Sequence, residues 1–170
     1  MRRHQKVLGL GAAAIAAVVL TAGCSSSNDG AATGSSSTVS TQNLPNLGTV
    51  LVNSEGKTLY FTDQEGAGSI LCEGACTSIW IPLTVTSGTT PTAGAGVTGA
   101  LGTVMRPEGT TQVTYDGKPL YLFSLDTGAG QYGGNGVSDT FSGTSFLWYA
   151  ATATGSAPAQ CPGRSATVEG

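Results

Sequence analysis

Apolar and polar positions divide the chain into three regimes. From Val7 to Leu20 runs an uncharged stretch of 14 residues, preceded by Arg2, Arg3, His4 and Lys6. From Ser25 to Gln42 almost every residue is Ser, Thr, Gly, Ala or Asn. Beyond that, short β-prone runs alternate with glycine-rich punctuation. The runs predict strands over Gly48–Asn53, Lys57–Thr62, Ser78–Thr86, Thr111–Tyr115, Pro119–Leu125 and Ser145–Thr152. Ser54-Glu55-Gly56 reads as a turn, and Asp116-Gly117 between two β-prone runs is among the strongest short hairpin signals. After the first apolar run no segment sustains a helical period. Many short strands with glycine-rich turns predict an all-β fold, an antiparallel sandwich or small barrel.

The strands are organised as two degenerate β repeats. Leu47-Gly48-Thr49-Val50 recurs as Leu101-Gly102-Thr103-Val104, and Gly56-Lys57-Thr58-Leu59-Tyr60 as Gly117-Lys118-Pro119-Leu120-Tyr121. Trp80 is echoed by Trp148. The offsets of 54, 61 and 68 residues imply two insertions of 7 in the second copy. The expected organisation is a signal peptide over 1–23, a flexible tether over 24–43, the two-repeat β domain over 44–155 and a loose tail over 156–170.

A basic start, an apolar stretch and small residues before a processing site make a secretory signal. The apolar run is shorter than the roughly 20 residues that span a bilayer. Thr21-Ala22-Gly23-Cys24 resembles the bacterial lipobox, with Thr21 where Leu is usual. That resemblance implies lipidation at Cys24, with palmitate-type chains holding the protein to the outer, extracytoplasmic face of the cell membrane. More than one acyl chain gives stable anchoring. Arg2-Arg3 lacks the extended surroundings of a twin-arginine signal, so the general secretion route is expected. A tether of 18 residues reaches roughly 25 Å, which would hold the domain just off the membrane.

Charge and histidine content narrow the chemistry. Cleavage before Cys24 would leave 147 residues with four basic and ten acidic side chains, a net charge of −6. Such a chain repels phosphate backbones, so no nucleic-acid partner is expected. The one histidine, His4, departs with the signal. Without imidazole, Ser-His-Asp and Cys-His catalysis, His-ligated zinc and blue-copper sites are excluded. No metal and no cofactor is expected. Cys72 and Cys76 are expected to form a disulfide, the default for an exported chain, and four-residue spacing in a turn allows it. Cys161 is left over: free, paired between chains, or competing for one member of the pair.

Tyr121-Leu122-Phe123-Ser124-Leu125-Asp126 carries a Tyr-x-Phe-x-x-Asp pattern. With Cys72-Glu73-Gly74-Ala75-Cys76, Trp80-x-Pro82-Leu83, Arg106, Glu108-Gly109 and Gln112-x-Thr114-Tyr115-x-Gly117, it resembles the secreted-repeat lipoproteins of unknown function, a family common in actinobacteria. The resemblance covers residues 47 to 150 and implies no activity. In the first copy, Tyr60-Phe61-Thr62-Asp63 falls two residues short of the motif, so the motif's role is expected to reside in the second.

The candidate binding surface is Tyr115, Tyr121, Phe123, Trp80, Arg106 and Asp126. Tyr121 and Phe123 are two apart on a strand and share a face, opposite Leu120 and Leu122. One face is expected to be core and the other a shallow aromatic surface. Asp63, Asp126, Arg106 and Glu108 are the polar candidates, and a buried Arg106–Asp126 ion pair is expected to link the copies. The leading functional expectation is a cell-envelope binding or interaction module, engaging an envelope partner or small ligand, without a catalytic centre. The alternative is an extracytoplasmic enzyme or redox component using carboxylates or the Cys72/Cys76 pair.

Overall fold

The computed structural model describes residues 37–154. The signal segment, Cys24, most of the tether, Cys161 and the tail lie outside the described residues. Within 37–154 the fold is all-β, with one short helix, α1 (Cys76–Ile79). A two-stranded sheet pairs β1 (Ser40–Leu44) with β2 (Gly48–Val52). A curled five-stranded sheet has the order β10 (Ser138–Phe141), β11 (Thr144–Ala150), β3 (Tyr60–Thr62), β9 (Tyr121–Phe123), β4 (Trp80–Pro82). The third sheet places β7 (Thr111–Tyr115) between β5 (Thr84–Val85) and β6 (Leu101–Met105), with β8 (Lys118–Pro119) folded back on β7. All of these pairs are antiparallel.

All of β1 but Leu44 lies inside the range expected to be tether. Ser40, Thr41, Gln42 and Asn43 bury little apolar surface, so composition alone reads them as coil. They are ordered by a five-residue ladder with β2, from Ser40↔Val52 to Leu44↔Gly48. Val39 and Leu44 anchor the two ends in the core. Asp116 and Gly117 are both at positive φ, 49° and 79°, as a two-residue hairpin turn demands. The run predicted over Ser78–Thr86 is divided: α1 takes Ser78 and Ile79, and the strand breaks at Leu83.

The two repeats are real, with different boundaries from the sequence landmarks. In the first copy Leu51 N–H donates to Ala151 C=O (2.7 Å), Ala151 N–H to Leu59 C=O (2.8 Å) and Leu59 N–H to Leu51 C=O (2.9 Å). The second copy repeats this closed triangle: Val113 to Leu83 (2.8 Å), Leu83 to Leu120 (2.9 Å) and Leu120 to Val113 (2.9 Å). β1–β2 therefore corresponds to β6–β7, with Thr41↔Leu51 matching Thr103↔Val113. The echo of Leu47–Val50 in Leu101–Val104 is a chance likeness, because it equates β2 with β6. The first copy begins at β1.

The triangles also show that the copies exchange strands. The Trp148 strand, β11, belongs to the second copy yet pairs with β3 of the first. The Trp80 strand, β4, belongs to the first copy yet pairs with β9 of the second. The registers match: Trp148↔Thr62, Tyr149↔Phe61 and Ala150↔Tyr60 correspond to Trp80↔Phe123, Ile81↔Leu122 and Pro82↔Tyr121. A local twofold passes through the Tyr60↔Tyr121 pair where β3 meets β9.

Strand alternation then fills two cores. Tyr60, Trp80, Tyr121, Phe123, Phe146 and Trp148 enter one. Leu51, Leu59, Phe61, Val113, Leu120 and Ala151 enter the other, with Leu122 and Tyr149 packed against it. The sheet is thus covered on both faces, and the shallow aromatic surface expected opposite Leu120 and Leu122 is itself core.

If β1 is part of the domain, a chain starting at Asn43 melts at least roughly 5 °C below one starting at Ser37, since about 1 kcal/mol moves a domain of this size by several degrees. Thermal unfolding followed by circular dichroism checks this; equal midpoints would return residues 40–42 to the tether.

Candidate functional site

The residues expected to form a binding surface all lie inside, and all but Tyr115 meet around one core. Trp80 and Tyr121 are 0 % exposed, Arg106 2 %, Tyr115 3 %, Phe123 5 % and Asp126 6 %. Their polar atoms are satisfied chiefly by Tyr60, Glu65, Glu108, Gln112 and Asp139 and by backbone. What was expected as a platform is an internal network of phenols, carboxylates and indoles, because alternation on both faces of the curled sheet directs these side chains into core.

The Tyr-x-Phe-x-x-Asp motif works across the copies. Tyr60 of the first copy donates its phenol proton to Asp126 Oδ2 of the second, while Tyr60 Oη accepts from Gly134 N–H (3.3 Å). Asp126 Oδ1 accepts from Gly133 N–H (2.9 Å). Reciprocally, Tyr121 of the second copy donates to Glu65 Oε2 of the first (2.7 Å). Glu65 Oε1 accepts from Leu71 N–H (2.6 Å) and Cys72 N–H (2.7 Å). Tyr60 and Glu65 are spaced as Tyr121 and Asp126 are. The first copy therefore carries the motif's carboxylate, as Glu65, and the expectation that it stops short at Asp63 is corrected. Asp63 instead lies outside and pairs with Lys118 Nζ (2.8 Å), whose ammonium sits 4.1 Å from the Phe61 ring centroid.

Arg106 does not reach Asp126 as its partner. Its Nε pairs with Glu108, Nη1 donates to Gln112 Oε1 (2.6 Å) and Tyr121 Oη (3.4 Å), and Nη2 donates to Cys72 C=O (2.7 Å). It still links the copies, through the Cys72 carbonyl rather than through a carboxylate. Gln112 Nε2 passes the network on to Leu120 C=O (2.8 Å). Tyr115 is separate: its hydroxyl accepts from Gly99 N–H (2.7 Å) and donates to Ala153 C=O (2.5 Å).

At the centre, Trp80 and Trp148 stack with centroids 4.0 Å apart and planes 12° from parallel. Both indole N–H groups donate to one carboxylate, Asp139: Trp80 Nε1 to Oδ2 (2.6 Å) and Trp148 Nε1 to Oδ1 (3.0 Å). Tyr60 meets Trp80 edge-on at 5.5 Å, and Tyr121 meets Trp148 likewise at 5.1 Å. Gly134 is needed here for space, because a Cβ would lie 2.9 Å from the Trp80 and Tyr60 rings.

The electrostatics follow the hydrogen bonds. Burial, then the bond and charge of Asp126, pushes the Tyr60 phenol far above the ordinary tyrosine range. Burial and the Glu65 charge do the same for Tyr121. Both phenols are held as donors. Burial opposes the Arg106 charge, but its bonds to Glu108 and Tyr121 outweigh that and raise its value. The Arg106 bond is also what lowers Glu108. Among the described residues, no three His, Cys, Asp or Glu side chains are grouped to hold a metal ion.

The disulfide is present, Cys72–Cys76, with Cα atoms 5.3 Å apart and both residues fully buried. It closes the turn whose Cys72 amide rests on Glu65 and whose Cys72 carbonyl takes Arg106. Its counterpart in the second copy is Gly133, which rests on Asp126 without a disulfide.

Sequence reasoning missed Glu65 and Asp139, and it noted Gln112 only as part of the family resemblance. Glu65 was findable from the common Tyr-to-carboxylate spacing and from Gly66-Ala67-Gly68 recurring as Gly128-Ala129-Gly130. Asp139 had no local signal, since one of its two donors, Trp80, lies 59 residues away.

Raised phenols make stability fall at high pH. In the unfolded chain tyrosine ionises near pH 10. Below that value the contribution of Tyr60 and Tyr121 is complete; above it the unfolded state loses protons that the folded state keeps. Each phenol then contributes about 1.4 kcal/mol per pH unit to the decline. Denaturant melts across this range should show Tyr60→Phe with a shallower alkaline slope than the parent. The same variant removes a donor from buried Asp126 and costs about 1–3 kcal/mol near neutrality. An unchanged slope would refute the assignment.

No match was found among curated proteins or solved structures. The family model described as a secreted repeat of unknown function matches residues 102–151. Those residues are the second copy, from within β6 through the Ala151 that closes the first triangle. The second copy therefore matches the model of the secreted-repeat family that its Tyr-x-Phe-x-x-Asp pattern suggested.

Proposed function

We propose that the protein is a cell-envelope lipoprotein, held to the outer face of the membrane by lipidated Cys24, that presents its β domain as a binding or interaction module. The observation that carries the module reading is the internal commitment of the motif residues. Both oxygens of Glu65, Asp126 and Asp139 already accept hydrogen bonds from phenol, indole or backbone donors. General acid–base work at these carboxylates would have to break that network first. The Cys72–Cys76 pair is fully buried, whereas thiol–disulfide exchange needs access to a sulfur. Binding then falls to the exterior, on which Leu71, Ile81, Met105, Leu125 and Tyr132 are the exposed large apolar side chains among the described residues. The description of the second copy as a secreted repeat supports the address.

Two measurements test this reading. In fractionated cells Cys24→Ser should move the protein from the membrane to the soluble fraction; retention would remove the lipid anchor from the proposal. The purified domain should co-sediment with isolated envelope polysaccharide or peptidoglycan and turn over no member of a sugar and peptide substrate panel. Turnover abolished by Asp126→Asn or Cys72→Ser would replace the module with an enzyme.

A further inference from the structure

The contacts between the two copies are reciprocal. Tyr60 gives its proton to Asp126, and Tyr121 gives its proton to Glu65. β11 pairs with β3, and β4 pairs with β9. The loop after each carboxylate touches the hairpin turn of the other copy, Gly68 N–H to Gly117 C=O (3.4 Å) and Gly130 N–H to Gly56 C=O (3.3 Å). The two tryptophans stack face to face across the same centre. When residue i of one unit meets j of the other and j meets i, the interface is isologous, the kind that joins identical subunits about a twofold axis. Here it joins two halves of one chain.

A single copy is incomplete by itself. Separated from the first, residues 101–151 keep Tyr121 without Glu65, Asp126 without the Tyr60 phenol, and β9 and β11 without β3 between them. Hydrogen-bonding strand edges and a buried carboxylate would be left without partners, both of which are costly. From this geometry we infer that the secreted repeat is a half-domain whose partner is another copy of the repeat, and that Tyr-x-Phe-x-x-Asp is the element by which one copy recognises the other. Phenol and carboxylate each complete the opposite copy, so the motif reports pairing competence. In this chain the partner is supplied in cis, through residues 86–100. A chain carrying one copy would take it from a second chain.

The test uses the full chain. A site-specific protease sequence is inserted at the exposed turn around Gly88, where Thr89 N–H bonds Thr86 C=O (2.9 Å), and the folded protein is cut there. The two pieces should elute together and unfold in one transition. Separated in denaturant, each should be unfolded alone, and equimolar mixing should restore the complex and its tryptophan fluorescence. Tyr60→Phe in one piece, or Asp126→Asn in the other, should raise the dissociation constant roughly ten- to a hundredfold. The two together should do no more than the worse single change. Pieces that part without denaturant, or either piece folding cooperatively alone, would overturn the half-domain. Additive effects of the two substitutions would overturn the role given to the motif, even where the pieces still assemble.

Discussion

Trp80 and Trp148 lie face to face, and one buried carboxylate, Asp139, accepts both of their N–H groups. Each member of this trio needs the other two. A buried carboxylate without donors carries a desolvation cost of several kcal/mol, and a buried indole N–H without an acceptor is penalised in the same way. The stack adds roughly 0.5–1.5 kcal/mol beyond the burial of the rings. Asp139 and Trp148 come from the β10–β11 hairpin, and Trp80 comes from β4, 59 residues before Asp139. Once they meet, β11 is laid along β3 and β4 along β9. The strand exchange follows from where the indoles must be.

The exchange explains why so polar a set of residues sits in the interior. Tyr60, Tyr121, Glu65, Asp126, Gln112 and Arg106 are buried together because each closes the valence of another. Arg106 takes the Cys72 carbonyl, while the Asp126 oxygens accept from Tyr60 and Gly133. The copies solve one problem in two ways: a backbone amide must be presented to the motif's carboxylate. The first copy does so with Cys72 in a disulfide-closed turn, the second with Gly133 in a longer loop that also carries β10. The disulfide is a local clasp on a geometry that the second copy reaches without one.

A domain built this way leaves its family motif no solvent-facing work. What varies between the copies lies outside the shared frame: α1 and the cystine turn in one, the β10 hairpin and its flanking glycine-rich loop in the other. Such excursions from a rigid scaffold are where binding function commonly resides, and the proposed membrane tether would present them to the envelope.

Much of the fold was legible because its causes are local. β-branched and aromatic runs, Asp116-Gly117 and recurring Gly-Lys-x-Leu-Tyr define strands, a hairpin and a repeat through short-range sterics and period-two alternation. The expected disulfide and the family also rest on near-neighbour spacing. Three things were not legible. β1 is polar and is ordered by pairing with β2 and by the burial of Val39 and Leu44 at its ends. The burial of Arg106 and Asp126 depends on which partners arrive from the other copy. Asp139 acquires its role from two tryptophans that no sequence window contains together. The sequence by itself determined most of the strands, the duplication and the second copy's motif, but not β1, β6, β10 or α1. Only the tertiary structure decided that the copies trade strands and hydrogen-bond partners, because hydrogen-bond satisfaction in a buried core is settled between distant segments and not within any one of them.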